Sequence, residues 1–145
     1  MRHFLEEMSE ALGIVHAPLT GLVCALEQVR NDPWFFEAFE KAVDLFRDAL
    51  CDKQTVFFIG NGGSAAIAAH MAADFAKAGK VRTRSFENSS TLTAISNDQS
   101  FEEVFSSQIM QYGEAGDLLV AISSSGRSKN ILLGVGAARH RKMQV

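Results

Sequence analysis

The stretch Phe57-Phe58-Ile59-Gly60-Asn61-Gly62-Gly63-Ser64-Ala65-Ala66 constrains this chain more than any other. An apolar run of strand character ends abruptly in glycines, and an alanine-rich helical pattern follows at once. That is a strand, a tight loop and a helix N-terminus in direct succession. Glycine lets the backbone come close to a ligand, and the first N–H groups of a helix have no acceptor within it. Loops of this kind hold anionic or polyhydroxylated ligands. A second loop, Ser123-Ser124-Ser125-Gly126-Arg127-Ser128, follows the apolar run Leu118–Ile122 and precedes another helical pattern.

From Gln54 onward strands and helices alternate. Strands are predicted at Thr55–Ile59, at about Val81–Phe86 and at Leu118–Ile122. Helices are predicted from about Ser64 to Lys77, over Ser90–Ser96, over Ser100–Tyr112 and from about Lys129 to Arg141. Met143-Gln144-Val145 reads as the opening of a fourth strand. Such alternation implies an α/β fold, a three-layer α-β-α arrangement on a parallel sheet. Ligands in these sheets bind beyond the carboxyl ends of the strands, at the switch point in strand order. A strand order of 2-1-3-4 would make the first and third strands neighbours. The glycine and serine loops would then flank one crevice.

Residues 1–52 read as a helical segment for packing or oligomerisation, and residues 53–145 as the sheet domain. Asp32-Pro33 is a helix start, with Asp at the N-cap and Pro at the first helical position. Phe35, Phe39, Ala42, Val43, Phe46, Ala49 and Leu50 then share one face at helical spacing, a pattern that reads as core. The apolar residues between Ile14 and Leu26 exceed what one domain of this size readily covers, so self-association through the N-terminal helices is expected. The uncharged run Ala11–Leu26 is broken by Gly13, Pro18 and Gly21, and it is shorter than the roughly 20 residues that span a bilayer. No membrane partner is expected. Acidic residues come early and no signal-peptide layout is present. Cys24 and Cys51 lack metal-ligand spacing and read as reduced thiols of a cytoplasmic protein. A net charge of −3 argues against nucleic acid as a partner. The basic cluster Arg139-His140-Arg141-Lys142 sits where a helix ends, and it suits the negative end of the helix dipole.

Neither loop is decisive alone. Gly60–Ser64 lacks the Gly-Lys-Ser/Thr of a nucleotide P-loop. Gly60-x-Gly62-x-x-Ala65 matches a dinucleotide fingerprint, with Glu87 placed to hold a ribose, but that reading leaves the serine loop unexplained. Four serines around a glycine at a helix start offer hydroxyls and free N–H groups to one small anion, which suits a terminal phosphate. No nucleotide cofactor is therefore expected. His70 and Asp74 are four residues apart on one helix face. They suit acid–base work, metal binding or a plain helical pair. Asn97-Asp98 are polar residues in a rim position or a helix-ending turn.

Taken together these residues resemble the sugar isomerase (SIS) domain family, in its phosphoheptose isomerase branch. The matching elements are Gly60–Ser64, His70, Asp74, Thr93-Ala94-Ile95-Ser96-Asn97-Asp98, Phe101–Phe105, Gly116-Asp117 and Ser123–Ser128, in order from about residue 33 to the C-terminus. The resemblance implies a flavodoxin-like fold and a small-molecule sugar phosphate as ligand. It implies that Asn61, Gly62, Gly63, Ser64, Asn97 and Asp98 contact the sugar, and that Ser123, Ser124, Ser125 and Ser128 bind the phosphate. His70 would be a metal ligand or sugar contact, with Asp74 beside it and zinc as the family's metal. The reaction implied is isomerisation of sedoheptulose 7-phosphate to D-glycero-D-manno-heptose 7-phosphate through an enediol. A homotetramer with sites near subunit contacts is also implied.

Two departures bear on activity. The branch's isomerases carry Glu, the base that moves the proton between C1 and C2, where this chain has Asp74. Asp is one methylene shorter, a displacement of roughly 1 Å that can cost about 100-fold in rate. The branch also continues to a C-terminal helix whose Gln and His complete the site, and Val145 precedes any such motif, so the C-terminal part of the domain is expected to be missing here. The alternative is a non-catalytic SIS module that binds a sugar phosphate or a protein partner, as the DnaA-initiator-associating proteins of the family do.

Overall fold

The computed structural model describes residues 32–145. The expected self-association segment, residues 14–26, lies outside them. Helix α1 (Pro33–Cys51) starts as the sequence indicates. Asp32 Oδ1 accepts the Trp34 N–H at 3.0 Å, and the Asp32 carbonyl accepts that of Phe35 at 3.0 Å. This is the N-cap geometry that satisfies helix-end donors. The chain divides into two compact units between Val43 and Asp44, within α1. In the first, Phe35 and Phe39 stack with centroids 6.3 Å apart.

The second unit carries the sheet. Its further elements are β1 (Thr55–Gly60), α2 (Gly63–Lys77), β2 (Arg82–Ser85), α3 (Ser89–Asp98), a 3₁₀ turn (Phe101–Glu103), α4 (Ser106–Tyr112), β3 (Leu118–Ile122) and α5 (Lys129–His140). The strands run parallel in the order β2-β1-β3. Gln144 forms a parallel bridge with Leu118, so the chain after α5 begins to extend the order to 2-1-3-4.

β1 is central and buried on both faces, which explains its unbroken apolar sequence. Val56 and Phe58 face a cluster with Ala49 of α1, Ala68 and Ala72 of α2, and Leu118. Phe57 and Ile59 face the opposite cluster, with Val104, Phe105, Ile109, Leu119, Ile131 and Ala138. Helices thus cover both faces, as the three-layer reading requires. β2 is an edge strand whose Arg82 and Arg84 are exposed. Charged residues on an edge discourage pairing with another chain.

Two expectations need correction. The helix expected over Ser100–Tyr112 is divided, with a 3₁₀ turn before α4. Ser106 Oγ donates to the Glu103 carbonyl at 3.2 Å, a local bond that competes with the regular helical ladder. The apolar stripe of α1 is also only partly core. Ala49 is buried and Leu45 and Phe46 pack beside it, whereas Phe39 is 58% and Val43 46% exposed. Periodicity reports that a face is apolar, not what covers it.

α1, α2 and α5 are each followed by a lysine in the left-handed region: Lys53 (φ 57°), Lys80 (φ 53°) and Lys142 (φ 60°). The N–H groups of Gln54 and Met143 then reach back to the carbonyls of Ala49 (2.8 Å) and Ala138 (2.9 Å), closing the helix ends. Glycine is the usual residue at such positions because it lacks the Cβ that strains them. Glycine at each of the three positions should therefore give a protein more stable than alanine there, by about 1 kcal/mol per site. Urea denaturation of Lys→Gly and Lys→Ala pairs checks this, and alanine equal to or above glycine would contradict it.

Candidate functional site

The two loops leave the sheet side by side. Gly60, the last residue of β1, is the register partner of Ile122, the last of β3. Gly60 is required by space, since a Cβ there would lie 2.5 Å from the Ser64 carbonyl carbon. Gly62 is required by conformation, with φ 54° and ψ −121° at the N-cap of α2. The turn closes through Ser64 N–H to the Asn61 carbonyl and Ala65 N–H to the Gly62 carbonyl, each 3.0 Å.

A residue the sequence reading did not single out ties the loops together. Asn130, in the first turn of α5 and only 3% exposed, exchanges hydrogen bonds with Asn61. Asn61 Nδ2 donates to Asn130 Oδ1 at 2.9 Å, and Asn130 Nδ2 donates to Asn61 Oδ1 at 2.8 Å. Asn130 Oδ1 also accepts the Ile131 N–H at 3.0 Å. The signal available in the sequence was an Asn directly after the serine loop, at the head of an otherwise apolar helix. Asn61 is thus held by its neighbour loop as well as facing the crevice.

The serines divide by role. Ser123 Oγ accepts the Gly126 N–H at 3.1 Å and Ser125 Oγ accepts that of Arg127 at 3.2 Å, so these two shape the loop. The Ser124 and Ser128 hydroxyls make no hydrogen bond among the described residues, and Ser128, at the N-cap of α5, provides no side-chain cap. Two hydroxyls and the first N–H groups of α5 therefore remain for an anion. Lys129 follows, its ammonium 2.8 Å from Glu102 Oε1. The hydrogen bond and then the charge of Glu102 hold the Lys129 pKa above its ordinary value. A cavity of about 140 Å³ lies beneath the glycine loop, walled by Gly60–Gly62, Ala65, Phe86, Glu87 and Phe101. It does not reach the serine loop.

His70 and Asp74 pair with each other, Nε2 to Oδ2 at 3.3 Å, on an exposed face of α2. At about 100° per residue, Asp74 lies roughly 180° around the helix from Ala65, which lines the cavity. It is also about 16 Å along the axis from Gly63. One chain therefore brings the glycine and serine loops together but turns His70 and Asp74 away from the cavity. Asn97 and Asp98 sit exposed at the end of α3, bonded to each other at 2.9 Å. As a metal site, His70 and Asp74 supply two donors, and no group of three or more His, Cys, Asp or Glu suited to a metal exists among the described residues. A tetrahedral zinc site needs more donors than this face provides. No helix among the described residues is long and apolar enough to cross a membrane.

A parallel α/β domain with a glycine loop and a serine loop clasped at adjacent strand ends has the arrangement in which α/β folds present loops to a ligand beyond the carboxyl ends of their strands. The chain belongs to the SIS-domain family, whose model matches residues 25–145. It is similar to the phosphoheptose isomerase of Coxiella burnetii (strain Dugway 5J108-111), 42% identical over 111 residues that cover 72% of this chain and 56% of that protein. It is 37% identical over 115 residues to the phosphoheptose isomerase of Shewanella denitrificans, covering 75% of this chain and 59% of the relative. The structure of phosphoheptose isomerase from Neisseria gonorrhoeae superposes with a TM-score of 0.81 at 35% identity, over 94% of this chain and 71% of that one. The chain thus spans somewhat more than half the length of these curated relatives.

The Asn61–Asn130 pair gives a prediction. Asn130→Ala leaves the partly buried Asn61 amide without its partner and should lower stability by about 1–3 kcal/mol. It should also speed hydrogen exchange at Gly62–Ser64 and Ser124–Lys129. Denaturation and amide exchange read the two effects, and exchange unchanged in both loops would show that the pair is not what holds them.

Proposed function

We propose that this chain forms the sugar-phosphate-binding part of a phosphoheptose isomerase-like enzyme that interconverts sedoheptulose 7-phosphate and D-glycero-D-manno-heptose 7-phosphate. The observation that carries the reading is the juxtaposition of the two loops at Gly60 and Ile122, clasped by Asn61 and Asn130. In this reading the phosphate occupies the serine loop, with Ser124 and Ser128 donating and the N-terminus of α5 adding positive potential. The glycine loop takes the sugar's hydroxyls through its open backbone. The similarity to phosphoheptose isomerases supports this over a binding module without catalysis.

Aldose–ketose isomerisation needs a base that moves a proton between C1 and C2. Asp74 is the carboxylate assigned to it, and its outward position on α2 means that it acts on a substrate held largely by another surface. A second copy of the chain in a homotetramer supplies such a surface, which accords with an expected position of the sites near subunit contacts. His70 beside Asp74 orients the carboxylate. Zinc would bind here only with donors from outside the described residues, and it would supply Lewis-acid polarisation of the sugar carbonyl. Cytoplasmic residence belongs to the same proposal, since sugar phosphates are intracellular metabolites.

Turnover of sedoheptulose 7-phosphate by the full-length protein is the test. Asp74→Asn should abolish it while sugar-phosphate binding persists. Asp74→Glu should raise kcat, by up to about 100-fold if the carboxylate is about 1 Å short of its productive position. Ser124→Ala and Ser128→Ala should each weaken sugar-phosphate binding about tenfold or more, as expected for lost hydrogen bonds to a charged group. Binding without turnover in the unaltered protein would instead establish a non-catalytic module.

A further inference from the structure

Lys129 opens α5 directly after the serine loop. The Cα–Cβ bond of a helical residue tilts toward the helix N-terminus, so this side chain sets out on the loop's side. Its ammonium is taken up by Glu102, 2.8 Å away across 27 residues of sequence. Glu102 lies in the 3₁₀ turn, and its neighbour Phe101 walls the cavity beneath the glycine loop. The ion pair therefore ties the head of the serine-loop helix to the wall of the glycine-loop cavity.

Both partners are well exposed, the Lys129 side chain by 75% and that of Glu102 by 49%. Pairs of this kind are held weakly against water and exchange readily. The head of α5 otherwise gathers positive potential, from Lys129, from Arg127 and from the helix dipole. Glu102 is the carboxylate tied into that field. An anion seated on Ser124 and Ser128 would attract the same ammonium and repel the same carboxylate.

We propose that Lys129 is an anion-binding residue of the serine loop and that Glu102 is its internal competitor, displaced from the ammonium when a phosphate group arrives. The inference rests on the placement of phosphate at that loop. Two consequences follow from the exchange. Glu102 lowers the affinity of the loop for anions and favours those with charge enough to displace it. Occupation of the serine loop also frees the 3₁₀ turn, so the wall of the neighbouring cavity responds to the anion.

Titration with inorganic phosphate at pH 8, followed by amide NMR shifts of residues 123–130 in the full chain, tests this. Glu102→Gln should bind phosphate roughly three- to tenfold more tightly, and Lys129→Met weaker by a similar factor, as fits one charge in a solvent-exposed site. Lys129→Arg should restore binding. In the Lys129→Met background, Glu102→Gln should lose most of its effect, because it acts through the ammonium. Both side chains are exposed, so melting temperatures should hold and separate binding from folding. Phosphate binding that is weakened by Ser124→Ala but unchanged by the Glu102 and Lys129 substitutions would overturn this inference alone. No binding of phosphate, or binding indifferent to Ser124, would overturn the placement of phosphate as well.

Discussion

The parallel pairing of β1 with β3 is the interaction on which the rest of the molecule depends. Its five register partners, from Val56↔Leu118 to Gly60↔Ile122, bring two loops to one end of the sheet. A parallel pair is held by evenly spaced, slanted bonds along its length, and a side chain can add a fastening at either end. Here each end has one. At the amino end the buried Asp117 accepts the Thr55 N–H at 2.7 Å and the Glu114 N–H at 2.8 Å, fastening the start of β1 to the turn before β3. At the carboxyl end the Asn61–Asn130 pair does the same for the loops. Both devices are polar groups whose bonds are satisfied, which makes their burial tolerable.

The same pairing explains why the two loops and the His70–Asp74 pair are separated in space. α2 must lay Ala68 and Ala72 on Val56 and Phe58 to cover its face of β1. Small residues at that spacing bring the helix close to the sheet. His70 and Asp74 then fall on the far side, exposed and bonded to each other. The packing that seats the glycine loop thus directs the carboxylate outward. Any chemistry assigned to Asp74 requires a surface that meets α2 from outside.

Much of the fold was legible because its signals are local. The unbroken apolar β1 and β3, the glycine stop and the Asp32-Pro33 start each act within a few residues, and β1, α2, β3 and α5 appear within a residue or two of where the sequence puts them. What escaped was set in one place by a competing local bond and elsewhere by tertiary contact. The break before α4 follows from Ser106 bonding back to Glu103, a choice between two local bonds that the apolar periodicity does not register. Asn130 looked like any polar residue near a helix start until β1 and β3 placed it opposite Asn61. The spacing of His70 and Asp74 showed that they share a face but not which one. The run Ala65, Ala68, Ala72 held that answer, since small apolar residues at helical spacing mark the face that meets the sheet.

The choice of an amide pair at the clasp, rather than an ion pair, bears on what the crevice can hold. Two asparagine side chains satisfy each other in both directions and leave no net charge. A carboxylate in the place of either would set a negative charge beside the serine loop and oppose a phosphate there, and a buried cation would demand its own counter-ion. The neutral clasp leaves the field of the crevice to the head of α5 and to Lys129. Charge enters instead at the exposed rim, where the Glu102–Lys129 pair can exchange partners at little cost. At this end of the sheet, rigidity thus lies in a neutral amide pair and responsiveness in exposed charged groups, whereas the far end is fastened by the buried Asp117.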